Sequence, residues 1–227
     1  MTERPHRPPP LRKPKLAIVH PVPAIGDRLE RLMEPHADVL PVARLAPTGL
    51  EVLLNLGPDV ALIGGRFADE TSALSLLRSA LAVDPSLRIA LVLTRSSVFA
   101  AEKAIEAGAV GTVDVSLDDA EVRRGICQLL AGRSYVPPAI FRALAPPLDL
   151  DNVRFDHREL AVLDALASGP FSTGSLADQL GLSTRQVQTT LTTLRLSLGV
   201  GSIAELVVLA GQVSSSASAS AMSAAEL

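Results

Sequence analysis

Five times between Leu16 and Leu130 the chain repeats one two-part phrase, a short apolar run followed by a segment with helical spacing. The runs are Leu16 to Val19, Ala37 to Val42, Asp59 to Ile63, Arg88 to Leu93 and Val110 to Val115, several of them rich in β-branched residues. The helical segments are Ile25 to Met33, Gly49 to Leu56, Ser72 to Val83, Val98 to Ala107 and Asp119 to Leu130. In the last of these, Val122, Ile126, Leu129 and Leu130 share one side of a helix. Strands joined through helices make right-handed crossovers, and the product is a parallel sheet covered on both faces. The expected fold class is α/β, a five-stranded parallel doubly wound domain followed by a small all-α domain.

The second domain begins near Phe155, where only helical spacing remains. Arg158 to Ala167 carries Leu160, Val162, Leu163 and Leu166 on its apolar side, and Ser175 to Leu180 forms a second helix. The tight turn Leu180 to Ser183 leads into a third, with Ser183 as N-cap because its hydroxyl accepts from a free backbone N–H. That helix, Thr184 to Leu198, buries Val187, Leu191, Leu194 and Leu198 and turns Thr184, Arg185, Gln188, Thr189, Thr192 and Arg195 the other way. Two helices across a tight turn are a helix-turn-helix, which lays its second helix in the major groove of DNA. Ile203, Leu206, Val207 and Ala210 make the apolar face of a fourth helix, read as a stripe through which two copies dimerise.

The chain has 227 residues, enough for two domains, and hydrophobic residues make up 48% of them. Tryptophan is absent and aromatics total 3%, so the cores must be aliphatic. No apolar run approaches the ~20 residues of a membrane span, and no secretory h-region follows the basic N-terminus. Cys127 is the sole cysteine, has no internal disulfide partner and sits in an apolar helical stretch as buried filler. A soluble cytoplasmic protein with no membrane association is expected. The first fifteen residues hold five prolines, five Lys/Arg and one Glu, too little apolar surface to fold. The expected organisation is a disordered basic tail over 1–14, an α/β domain over 15–132 and a Pro-rich linker over 133–152. The helix-turn-helix domain over 153–213 and a disordered Ser/Ala tail over 214–227 complete it. Within the linker, Tyr135 to Leu144 is read as a short turn of helix.

Ligands of doubly wound folds sit beyond the C-terminal ends of the strands. Those ends carry His20-Pro21, Gly64-Gly65, Thr94-Arg95 and Asp114-Val115-Ser116. The order of elements and the phrases PDVALI, LVLT and AIEAGAVG resemble the receiver domain of NarL/FixJ-type response regulators over Lys15 to Gly132. The resemblance implies two Mg²⁺-holding acids after the first strand, where His20 and Pro21 stand. It implies a phospho-accepting Asp where Gly64 stands, a Lys where Val115 stands and an aromatic switch residue where Thr112 stands; the strand-four Thr is kept as Thr94. Acyl phosphate formation needs a carboxylate nucleophile, a cation on hard oxygen ligands and a positive charge for the phosphoryl group. Glycine, histidine, proline and valine supply none of these. Asp59 is about 16 Å from Gly64 along an extended strand, and Asp69 has no partner acids. Two readings of Gly64-Gly65 stand: a loop that fills the vacated pocket, which is preferred, and room for a small ligand. His20 is read as a structural histidine, since one His without Cys or carboxylate partners is not a metal site.

The phrases RELAVLDALASG, LADQLGLSTRQVQ and LGVGSIAELV resemble the LuxR-type DNA-binding domain that follows such receivers. There are departures: the loop PFSTG is one residue longer, QVQTTL stands for TVKxHL, and Ser197 replaces a late lysine. By the resemblance, Gln188, Thr189 and Thr192 face the groove while Arg185 and Arg195 reach phosphates or base edges. From Asp151 to Val213, Arg154, Arg158, Arg185 and Arg195 oppose Asp151, Asp156, Glu159, Asp164, Asp178 and Glu205, a net charge of −2. Phosphate contacts normally supply much of the affinity, so one copy should bind weakly and two are expected.

The expected protein is a non-enzymatic, DNA-binding transcription regulator of the atypical response-regulator type, a pseudo-receiver joined to a helix-turn-helix. It acts without Asp phosphorylation, cofactor or metal, as a homodimer on double-stranded DNA, with a small-molecule or protein ligand of the receiver-like domain left open. The alternative is an interaction module that titrates another regulator through mixed dimers, its own DNA binding weakened or lost.

Overall fold

The computed structural model describes residues 12–144, 155–168 and 173–210. Residues 1–11 of the expected N-terminal tail, the expected C-terminal tail, residues 145–152 of the expected linker and the start of the PFSTG loop lie outside the described residues. At the end of the first tail, Lys13 donates to Glu34 O and Pro14 O accepts from Asp38 N–H.

Five parallel strands form one sheet in the order β2-β1-β3-β4-β5: β1 (Lys15–Val19), β2 (Asp38–Val39), β3 (Val60–Gly64), β4 (Ile89–Leu93) and β5 (Gly111–Asp114). The helices are α1 (Pro23–Met33), α2 (Ala46–Asn55), α3 (Ala73–Val83), α4 (Val98–Glu106) and α5 (Asp119–Leu130). Strand residues alternate between two cores. Leu16, Ile18, Leu62 and Val92 pack with Leu29 and Met33 of α1 and with Val122, Ile126 and Leu129 of α5. Ala17, Val19, Ile63 and Leu91 pack with Leu53, Leu76, Leu77, Ala101 and Ile105 from α2, α3 and α4. Both faces being covered is what makes these strands continuously apolar in sequence. Side-chain caps fix the starts of three helices: Ser72, Ser97 and Asp118 accept from Ser75, Ala100 and Glu121 N–H groups.

The second strand is shorter than expected. Leu40 N–H still donates to Leu16 O, but the ladder then slips by one residue and pairing resumes at Ala43, whose N–H donates to Ile18 O. Pro41 is accommodated because position 41 faces the open edge of the sheet. At the far edge, the segment read as linker begins inside the α/β domain. Tyr135 forms a parallel bridge to Gly111, its carbonyl accepts from Thr112 N–H at 2.8 Å, and its hydroxyl donates to Glu121 Oε1 at 2.8 Å. Burial is the main cause that raises its phenol pKa. A short helix, α6 (Pro138–Leu144), buries Ile140 and Leu144.

The C-terminal part comprises α7 (His157–Ser168), α8 (Thr173–Leu180), α9 (Thr184–Leu198) and α10 (Ile203–Ala210). Val162, Leu163 and Leu166 of α7, Leu176 of α8 and Val187, Leu191, Leu194 and Leu198 of α9 make its aliphatic centre. Ser134 N–H donates to Ala167 O at 3.0 Å, tying α7 to the segment that flanks β5. The expected dimer stripe is corrected here. Leu206 and Ala210 are 0% exposed, Val207 5%, and Ile203 packs half-buried against the same core. Ala204, Val208 and Leu209 are buried as well, so apart from Glu205 and the half-buried Ile203 the helix is interior. The stripe's partner is the chain's own interior. No single helix among the described residues is long and apolar enough to cross a membrane.

Candidate functional site

Two places concentrate functional chemistry: the C-terminal edge of the sheet and the outer face of α9.

At the sheet edge, β1 delivers His20 and β3 delivers Gly64. His20 is fully buried; its backbone N–H donates to Ala43 O, and its Nδ1 accepts from Val22 N–H at 3.1 Å. Nε2 therefore carries the proton of the neutral ring, and it is buried without a hydrogen-bond partner. The imidazole lies where a side chain from position 64 would go. A Cβ on Gly64 would stand 2.6 Å from His20 Cδ2, 2.7 Å from Val92 Cβ and 2.9 Å from Val92 O. Of the two readings of Gly64-Gly65, the packing matches the filled one: Pro21 also closes over Gly65, 2.8 Å from where its Cβ would be.

The remaining strand ends are tied to each other. Asp114 is 1% exposed, and its carboxylate accepts from Ser96 Oγ, from Ser116 N–H at 2.9 Å and from Ser116 Oγ at 2.6 Å. Arg28 of α1 donates to the carbonyls of Val115 and Leu117 at 2.5 and 3.0 Å, and its Nε to Asp119 at 2.9 Å. The β4–α4 and β5–α5 loops are thus fixed by groups internal to the chain. Val115 is buried, and Thr94 points into solvent. Thr112 is 0% exposed with its hydroxyl unpartnered, on a strand where an aromatic switch residue would need room. Asp59 lies at the opposite edge of the sheet, accepting from Lys15 N–H at 2.6 Å, and Asp69 accepts from Thr71 N–H within its loop. Cys127 is half-buried on α5, and burial raises its thiol pKa. Among the described residues no group of three His, Cys, Asp or Glu could hold a metal ion.

Burial holds the His20 pKa below its ordinary value. With the folded pKa below the unfolded one, the unfolded chain takes up the proton first. Stability is therefore complete above about pH 6.5 and falls as pH drops through that value toward the folded pKa. Chemical denaturation at about pH 7.5 and pH 5.5 should show this loss, and His20→Gln should shrink the difference between the two. An unchanged difference in the variant would assign the acid sensitivity to other groups.

The second place is built by local signals. Ser183 caps α9 and forms a capping box with Gln186, whose side chain accepts from Ser183 N–H at 2.8 Å. Gly199 closes the other end. Of the residues expected to meet DNA, Thr184, Arg185, Gln188, Thr189 and Thr192 are all exposed. Arg185, Thr189, Thr192 and Leu196 follow at i, i+4, i+7 and i+11, one straight stripe, and Leu196 is 78% exposed. Arg195 departs from that face. It is half-buried, its guanidinium donates to Gly201 O, and its Nε is buried without a partner, so it holds the α9–α10 turn.

Sequence reasoning placed Asp114 and Ser116 at a strand end but did not bring out the pairing of Asp114 with Ser96, the Arg28 clamp, or Leu196. The Ser96 pairing and the clamp are tertiary contacts across 18 and 87 to 91 positions, with no local signal. Leu196 was visible as a leucine outside the buried heptad-like stripe.

No protein-family model matches the chain. It is similar to the Fimbriae Z protein of Salmonella typhimurium, 27% identical over 164 residues, 70% of this chain and 77% of that protein. It is also similar to the transcriptional regulatory protein MctR of Rhizobium johnstonii, 27% identical over 214 residues, 91% of this chain and 94% of that protein. Among solved structures, a LuxR-family two-component response regulator from Aurantimonas sp. SI85-9A1 matches 57% of this chain and 94% of its own at 26% identity, with a TM-score of 0.54. The response regulator RcsB in its complex with DNA matches 88% of this chain and 98% of its own at 17% identity, with a TM-score of 0.52. The chain has the fold of LuxR-family response regulators: a receiver-like α/β domain followed by a helical domain.

Proposed function

We propose that this protein is a transcription regulator that binds double-stranded DNA as a homodimer through α9, with no phosphorylation step in its α/β domain. The observation that carries the reading is the outer face of α9: a capped fifteen-residue helix presenting Arg185, Gln188, Thr189 and Thr192 to solvent across a tight turn from α8. RcsB, of the same fold, was solved on DNA, and MctR is a transcriptional regulatory protein by name. Phosphorylation-independence is supported by the sheet edge, where His20 fills the space beside Gly64 and Arg28 and Asp114 already hold the loops. The net charge of −2 across the helical domain makes a second copy necessary for adequate phosphate contact.

The test is selection from random duplex DNA, and binding to the protein's own upstream region, with purified unphosphorylated full-length protein. Enrichment of a two-fold-repeated site is the expected result, and recovery of no sequence above background would sink the reading. The double variant Arg185→Ala, Gln188→Ala should weaken specific binding by about tenfold or more, since a bidentate base contact contributes roughly 1–3 kcal/mol of discrimination. Arg185→Ala alone should flatten the plot of log affinity against log salt by about one unit per engaged protomer. An unchanged slope would mean that Arg185 does not touch phosphate.

A further inference from the structure

Four threonines of α9 have already spent their only hydrogen-bond donor. Thr189 Oγ1 donates to Arg185 O at 2.9 Å and Thr192 Oγ1 to Gln188 O at 2.9 Å. Thr190 and Thr193 do the same to Gln186 and Thr189 carbonyls at 3.0 and 3.1 Å. A threonine hydroxyl turned in on its own helix in this way leaves Cγ2 as its outward group. Thr189 and Thr192 are both exposed and stand in line with Leu196, which is 78% exposed. The centre of the outer face is thus a row of methyl groups rather than a row of hydroxyls. Cationic donors are scarce beside it, because the Arg195 guanidinium is committed to Gly201 O and Arg185 stands alone at the helix start. Gln188 flanks the row with an amide able to donate and accept.

We infer that this face reads thymine by its C5-methyl group, through the Cγ2 atoms of Thr189 and Thr192, with Gln188 set for a neighbouring adenine. Thymine alone among the four bases carries a methyl in the major groove, and adenine presents the N6–N7 pair that a carboxamide matches. The guanine contact made by arginine or lysine is confined to Arg185. The half-site should therefore be centred on A·T pairs, with any guanine contact at its edge. This inference rests on the DNA-binding reading above and adds to it which base atoms are recognised.

The experiment uses full-length protein and the duplex it selects. Each thymine of the half-site is replaced in turn by uracil, which keeps the pairing and O4 and removes only the methyl. Two substitutions should each weaken binding roughly fourfold, the worth of one buried methyl-sized group. Thr189→Val with Thr192→Val keeps the methyls and should bind within about twofold of the parent. Thr189→Ser with Thr192→Ser keeps the hydroxyls and should bind roughly fourfold weaker per contact and become indifferent to uracil. If uracil has no effect on the unsubstituted protein, or if the Val pair loses binding while the Ser pair keeps it, the methyl readout is overturned and DNA binding itself stands. If no duplex is bound at all, both fall together.

Discussion

Restoring the missing carboxylate should break this protein rather than revive a phosphorylation switch. Gly64→Asp is expected to cost the α/β domain roughly 3 kcal/mol or more, from overpacking together with burial of an ionisable group. The clash is specific: the new Cβ meets the His20 ring at 2.6 Å and the Val92 carbonyl at 2.9 Å, and the second is backbone that cannot rotate aside. Against a usual total of about 5–15 kcal/mol, that loss is large and should appear plainly in chemical denaturation. His20→Ala in the same chain should return part of it, with a coupling energy of about 0.5–3 kcal/mol in the double-mutant cycle. Incubated with acetyl phosphate, neither the parent nor Gly64→Asp should gain a stable adduct in intact mass spectra. A carboxylate alone lacks a cation held by oxygen ligands and a charge at the position of Val115. A Gly64→Asp protein as stable as the parent, or one that takes up a phosphoryl group, would overturn the account of a closed sheet edge.

The sheet was legible because both of its faces are covered. Burial on both sides forces runs such as ALIG and IALVL to be apolar throughout, and such runs separated by helical spacing admit few topologies. The limits of α5 and α9 were readable because Asp118 and Ser183 are caps, a signal carried within one turn of chain. The extent of β2 was not, because the one-residue slip between Leu40 and Ala43 leaves no mark in the apolar run, and Pro41, facing the open edge, costs the ladder no donor. His20 and Gly64 could each be placed at a strand end from sequence, but not the packing of one into the space of the other. That contact depends on which strands are neighbours, and β1 and β3 pair directly. The α10 stripe shows the opposite limit. Periodicity identifies an apolar face without saying what covers it, and the flanking Val208 and Leu209 were the residues that marked most of the helix as interior. On α9 the sequence supplied the exposed positions apart from Leu196, and put Arg195 among them in error, while the direction of each threonine hydroxyl required the helix backbone.

The second large effect concerns the junction between β5 and the helical part. Gly111→Ala should destabilise the protein by about 3–5 kcal/mol, at the upper end of single substitutions. A Cβ at Gly111 would stand 1.9 Å from the Tyr135 carbonyl oxygen, and the φ of 157° at this glycine suits no other residue well. The 133–136 segment would have to leave the edge of β5. Thr112 N–H would then lose its acceptor, Tyr135 would lose Glu121, and Ser134 would be drawn away from Ala167. The loss therefore reaches α7 and the helical domain as well as the sheet. The readout is built in, because the chain has one tyrosine and no tryptophan, so its intrinsic emission reports Tyr135 alone. In the variant that emission should move toward the value of the unfolded chain before denaturant is added, and the unfolding midpoint should fall. Tyr135→Phe, compared with Gly111→Ala by denaturation followed by circular dichroism since it carries no tyrosine, is the mild control: it removes only the Glu121 hydrogen bond and should cost about 1 kcal/mol. If Gly111→Ala proves no more damaging than Tyr135→Phe, the segment flanking β5 is not the pin that joins the sheet to α7.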